Sequence, residues 1–447
     1  MKDALVTRLL RVYPAEIGLT LTLGFLLLVN AMAQQISGVV AVSGFLSEVG
    51  TNQLLLVWIV NYTLIALVAA FQSLIVDRFN RVTLIGIVCL GFAGIYLGLR
   101  LMFAANFPGW LTYSLIYIVS DQQWLFFPLV FWVLANDTVD MAQAKRLFPL
   151  FASIGFIGKI IGIIIAGVSP ALLKQLQSSS VELTTFIALL YVLAFVVVRL
   201  RLRGVKIRQT VQKVEPLQKR LNEAQEFIKD VPLYRFLSYS IAALIICHII
   251  IEFHFMVVSS QQYPDGVGFA QFYSAYRLGV ALLAFLIQSV LTSRLIEKMT
   301  LKNVFLIMPV AVTTGLAAML AFPGFITGVL GMVLNRLPRD TVDESAQKSL
   351  LAMVPEERRG RVALYMDNGM IGLGSVLGCI LALIVVTLGP YLLGANYAAA
   401  YLLIGLVAAV IGVFCVVKAR SQYDKSLLSW RLKRRQRGAS ILDKLDF

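Results

Sequence analysis

The chain has 447 residues, of which 59% are hydrophobic and 14% charged, with a mean hydropathy of +0.82. Soluble domains of this total length carry more charge and less apolar surface, so the composition excludes them and points to a polytopic membrane protein. The net charge of +15 gathers in short gaps between apolar stretches. It therefore reads as a sign of topology with a preference for anionic lipid, and nucleic acid is excluded as a partner.

Segments able to cross a bilayer, roughly 20 mostly apolar residues each, are expected near 15–41, 53–76, 82–104, 110–136, 147–168, 184–200, 236–258, 269–293, 303–322, 324–349, 363–388 and 397–418. Lipid offers the backbone no hydrogen-bond partner, and the runs lack the two-residue alternation of barrel strands, so each is read as a helix. The expected fold is an all-α polytopic membrane protein with about 12 transmembrane helices. Residues 1–14 carry no apolar core before a cleavage site, and the first span is read as an anchor. Arg78 and Arg81, Lys145 and Arg146, Arg294, Lys298 and Lys302, and Arg358, Arg359 and Arg361 share alternate gaps with both termini, which places both termini in the cytoplasm. The expected divisions are a first half at 1–200, a basic linker with an amphipathic helix at 201–235, a second half at 236–420 and a basic tail at 421–447. The linker helix, with Leu217, Leu221, Ala224 and Ile228 on one face, is expected on the lipid surface, as is the tail around Trp430.

Polar groups inside the spans are the functional candidates, because each is costly to insert. In chain order they begin with Gln34 and Gln35, then Asp121, Gln122 and Gln123 beside Trp124, read as converging within about one turn near the midplane. Lys159 follows, either an anion ligand or a partner of Asp121. His248 and Glu252, four residues apart, suit proton exchange near neutral pH or a structural pair. With His254 they make an incomplete metal set, and no metal site is expected. Arg277 lies among Tyr273 and Tyr276, with Glu252 a plausible partner. In the tenth span Arg336 and Arg339 are solute or gate ligands, or else are neutralised by Asp340 and Asp343, each four residues on, with a kink expected at Pro338. Cys89, Cys247, Cys379 and Cys415 read as packing residues.

The two halves echo each other. Asp137-Thr138-Val139-Asp140 recurs as Asp340-Thr341-Val342-Asp343, and Lys145, Gly155 and Gly158 find counterparts in Arg359, Gly369 and Gly372. Two parallel six-helix repeats are the architecture of the major facilitator superfamily. Gate or loop positions are then expected at Asp77, Arg78, Arg81, Asp137, Asp140, Lys145, Arg146, Asp340, Asp343, Arg359 and Arg361. Gly155, Gly158 and Gly162, and Gly369, Gly372, Gly374 and Gly378, mark faces of close helix contact.

Phe131-Trp132-Val133-Leu134-Ala135-Asn136-Asp137, then Ala144-Lys145-Arg146-Leu147-Phe148-Pro149-Leu150, resembles the bacterial ATP/ADP translocase-like family. Phe45-Leu46-Ser47-Glu48-Val49-Gly50 and Pro355-Glu356-Glu357-Arg358-Arg359-Gly360-Arg361-Val362 are similar to other stretches of that family. Ala41-Val42 departs from it, standing where the family usually has a basic–acidic pair. The resemblance implies a major-facilitator-type exchanger of nucleotides or other anions in the bacterial inner membrane. The chain has no Walker-type phosphate loop and no nucleophile–base pair, so neither enzymatic activity nor a cofactor is expected. Secondary transport by alternating access is the leading reading. A proton-coupled carrier of another polar or amphipathic solute, or a lipid-handling protein that transports nothing, are the alternatives.

Overall fold

A computed structural model describes residues 12–76, 80–203, 217–351 and 353–442. The helices are, in order, α1 (Ile17–Glu48), α2 (Leu54–Val76), α3 (Arg81–Ala104), α4 (Gly109–Thr138), α5 (Met141–Gln175), α6 (Glu182–Arg201), α7 (Leu217–Asp230), α8 (Pro232–Gln262), α9 (Gly266–Leu286), α10 (Thr292–Met299), α11 (Leu301–Val304), α12 (Ile307–Ala321), α13 (Phe325–Pro338), α14 (Glu344–Leu351), α15 (Glu356–Leu364), α16 (Ile371–Leu393) and α17 (Tyr397–Leu442). Three π-helical turns, Ile287–Leu291, Arg339–Asp343 and Tyr365–Met370, join neighbouring helices without a break.

Among the described residues, ten helices are long and apolar enough to cross a membrane, and Leu54–Val68 adds a shorter apolar stretch. The tenth expected span is not one of the ten, because charged residues from Arg336 to Glu344 interrupt it. It nevertheless runs unbroken as α13, the π turn and α14. At Pro338 the chain does not end its helix: the residue is the last of α13, and the π turn continues directly from it.

The chain forms two compact units. The first comprises residues 1–57, 67–214 and 263–281; the second comprises 58–66, 215–262 and 282–447. In the first, α1 packs on α4, α5 and α6, while α3 packs on α4 and α6. In the second, α8 packs on α13, α16 and α17, while α12 packs on α13 and α17. The first helix of each half is thus the central one of its unit, as an internal repeat requires.

Close approach of backbones fixes those centres. A Cβ on Gly158 would meet the Leu28 carbonyl oxygen at 2.4 Å, and one on Gly162 would meet that of Met32 at 2.5 Å. In the second unit Gly374, 2.7 Å by the same measure from the Ala242 carbonyl, and Gly378 take this part against α8. Gly369 and Gly372, paired by sequence with Gly155 and Gly158, make no such approach, with nothing nearer than 3.9 Å.

The repeated Asp-Thr-Val-Asp does two different things. At 137–140 it ends α4 and caps α5, where Asp140 Oδ1 accepts from the Gln143 N–H at 2.8 Å. At 340–343 it forms a π turn inside a continuous helix. In the linker helix α7, Ala224 and Ile228 are buried within the protein, 1% and 4% exposed, and Glu223 pairs with Arg361 of α15.

Candidate functional site

In the first unit, Asn30, Gln34 and Ser37 form a stripe along α1 at helical spacing. Gln123 of α4 is fully buried and accepts at Oε1 from the Tyr96 hydroxyl (2.8 Å) and the Ser37 hydroxyl (2.7 Å). Its Nε2 donates to the Tyr191 hydroxyl (2.8 Å), which donates to Asn30 Oδ1 (2.7 Å). Asn30 Nδ2 closes the ring on the Gln123 carbonyl at 3.4 Å. Gln123 therefore ties α1, α3, α4 and α6 together.

Its neighbours do not converge with it, contrary to the reading of four adjacent polar groups. Successive residues on a helix point about 100° apart, so Trp124 is 66% exposed while Asp121 and Gln122 are half-buried. Neither amide atom of Gln122 has a hydrogen-bond partner. On α1, Gln35 Nε2 donates to Gln34 Oε1 at 2.6 Å, and Gln35 Oε1 is unpartnered.

Gly38 opens a notch beside these amides. A Cβ there would lie 3.0 Å from Arg277 Nη1 and 3.3 Å from Ser120 Oγ, so the bare glycine lets the guanidinium rest close against α1. Arg277 also stacks over Tyr273, its Cζ 5.4 Å from the ring centroid. Lys159 is half-buried on α5, between the two glycines that abut α1.

Near the ends of these helices, Arg81 pairs with Asp137 at 3.1 Å. Arg146 forks onto both Glu16 oxygens, at 2.9 and 3.2 Å, and Gln143 Nε2 donates to the same carboxylate at 3.0 Å. Lys145 is exposed. Asp77 and Arg78 lie outside the described residues.

In the second unit, His248 and Glu252 of α8 meet α13. His248 Nε2 lies 3.3 Å from Glu252 Oε2, and both side chains are nearly buried. His248 Nδ1 lies 2.7 Å from Nδ2 of Asn335, which is fully buried. His254 instead meets Tyr401 of α17 at 2.8 Å. Arg336 pairs with Asp340 at 3.5 Å. The expected Arg339–Asp343 pair does not form: Asp343 accepts from Gln347 at 2.7 Å, within a segment where i→i+5 winding replaces the α-helical spacing that the pairing needs. Arg339, half-buried, makes no hydrogen bond or ion pair among the described residues. Arg359 holds the carbonyls of Leu351 and Val354 at 3.1 and 3.3 Å.

Residues 22–334 match the model of the TLC ATP/ADP transporter family. The chain belongs to the TLC ATP/ADP transporter family. No curated protein matches its sequence. Among solved structures, the nucleoside transporter NupG is similar with a TM-score of 0.63 at 16% identity, covering 91% of this chain and 99% of that one. A bacterial homologue of the iron transporter ferroportin, inward-facing, gives 0.60 at 15% identity over 92% and 100%. A bacterial homolog of the human lysosomal transporter Spinster gives 0.61 at 16% over 94% and 98%. These likenesses establish the major-facilitator fold. As a member of the TLC family the chain is an integral membrane protein and a secondary transporter of a small-molecule solute, not an enzyme.

The family match stops one residue short of Asn335. Sequence reasoning does not single out Asn335, since a lone amide in an apolar run carries no partner with it. Asn30, Tyr96, Ser120 and Tyr191 escape it for the same reason, although the spacing of Asn30, Gln34 and Ser37 is a usable signal.

Proposed function

We propose that this TLC-family protein exchanges anionic solutes of the nucleotide class, ATP and ADP foremost, across the bacterial inner membrane by alternating access. Both termini and the basic loops then face the cytoplasm and its anionic lipid. Arg339 is the observation that carries the reading. A half-buried cation in a membrane helix is costly unless it is well paired; among the described residues Arg339 makes no hydrogen bond or close ion pair, and the nearby Asp343 is engaged by Gln347 at 2.7 Å. A phosphate supplies a counter-charge in a bidentate geometry suited to guanidinium. Arg336, one turn before, pairs with Asp340 at 3.5 Å and adds a second positive charge to the same helix.

The test is thermal stabilisation of the purified protein by ATP and ADP. Stabilisation is expected in the wild type, about ten-fold weaker binding in Arg339→Ala, and no change in the exposed control Arg294→Ala. Equal stabilisation in all three, or none in the wild type, overturns the reading.

A further inference from the structure

The imidazole of His248 has a polar neighbour at each nitrogen. Nε2 lies 3.3 Å from the Glu252 carboxylate, whose charge favours the proton on that nitrogen; Nδ1 is then the acceptor and takes a hydrogen from Asn335 Nδ2 (2.7 Å). Asn335 is 0% exposed, and its Oδ1 has no partner. An amide has a donor end and an acceptor end, so one end of this carboxamide serves Nδ1 while the other stays idle.

A second proton on the ring reverses the demand at Nδ1. The imidazolium needs an acceptor there, and a half-turn of the Asn335 carboxamide presents the idle oxygen in place of the nitrogen. Nδ2 then turns to the side that Oδ1 has left.

We infer that Asn335 reads the protonation state of His248, making the pair a proton-binding site that is filled when the solute anion binds. The added charge arises beside α13, which carries Arg336 and Arg339, and those two cations face the imidazole. From α16 the thiol of Cys379 faces Glu252, and from α17 Tyr401 is engaged by His254. With Arg336, Arg339 and an imidazolium together, a bound anion favours the proton, and by linkage the proton favours the anion. The proton comes from water on the side to which the site is open, forms one N–H bond at Nδ1, and returns to water when the solute leaves. This rests on the exchange reading for the identity of the solute, but not for the proton site.

Two measurements separate these parts. The chain has two histidines, so ¹⁵N-histidine NMR gives two imidazoles, assigned with His254→Phe. At high pH the expected His248 tautomer is Nε2–H. Asn335→Leu is expected to weaken its second proton about ten-fold, and Asn335→Asp, which keeps an acceptor and the shape, to strengthen it. An Nδ1–H tautomer at high pH, or the same midpoint in the wild type and Asn335→Asp, overturns the inference. In the second measurement ADP is added to weakly buffered protein, with about one proton taken up per ADP in the wild type and none in Asn335→Leu. ADP binding without proton uptake overturns the coupling. No ADP binding alongside the expected NMR titration leaves the proton site standing and removes ADP as the solute.

Discussion

The guanidinium of Arg146 grips the carboxylate of Glu16 with both nitrogens, at 2.9 and 3.2 Å, and so fastens the start of α5 to the residue that precedes α1. The Arg146 hydrogen bond holds the Glu16 carboxyl below its ordinary value of 4.5, with the Tyr13 N–H and Gln143 assisting and partial burial opposing. A carboxyl depressed in the folded state contributes stability above its unfolded value and loses it as pH falls through the folded value. Glu16→Gln should therefore melt below the wild type at pH 7, and the difference should vanish as the pH is taken well under 4.5. Melting curves of both proteins across that range are the check; a constant gap would refute it.

Gly158→Ala should destabilise the protein by about 1–3 kcal/mol, because the added methyl has only backbone to displace. Gly374→Ala should do the same in the second unit. Gly279→Ala, whose Cβ would meet nothing within 4 Å, should leave the melting temperature unchanged or slightly raised. Denaturation of the three variants in detergent decides the matter.

Tyr191→Phe removes one hydroxyl that both receives from Gln123 and donates to Asn30. Two buried groups lose their partner, so a loss of about 1–3 kcal/mol is expected. If Gln123 serves only this network, nucleotide binding measured below the melting transition should remain within two-fold of wild type, roughly 0.4 kcal/mol. A larger loss of binding would mean that the network also shapes the solute site.

Arg81→Ala leaves the Asp137 carboxylate, 18% exposed, without the guanidinium that meets it at 3.1 Å. Arg81→Ala and Asp137→Ala should each cost about 2 kcal/mol, and the double variant less than their sum. Additive losses in the thermodynamic cycle would show that the two groups do not depend on each other.

The outline of the fold can be read from the chain because lipid allows a long apolar run only one regular conformation. The repeat is legible too: Asp137-Thr138-Val139-Asp140 and its copy do fall at related places, though one caps a helix and the other sits within one. What the letters do not convey is direction around a helix axis. Gln123 and Trp124 are neighbours in sequence, yet one is sealed inside and the other faces out. His248 and Glu252 are visible as a pair because both lie on α8, whereas Asn335 joins them from a helix that only folding brings near. Alpha-helical spacing assigns Asp343 to Arg339, and the π turn removes the premise.

That π turn also gives the second unit an uncommon tolerance of deletion. Five residues, Arg339 to Asp343, wind where an α-helix would accommodate one fewer. Losing a single residue there would relax the turn to ordinary α winding and leave the helix on either side close to its present facing, because the surplus is held within the turn itself. Ala346 and Leu350, 0% and 1% exposed, would stay in the core. The same loss a few residues earlier, inside α13, would carry both around the axis by about 100°, so the helix forgives a missing residue at the turn and nowhere before it.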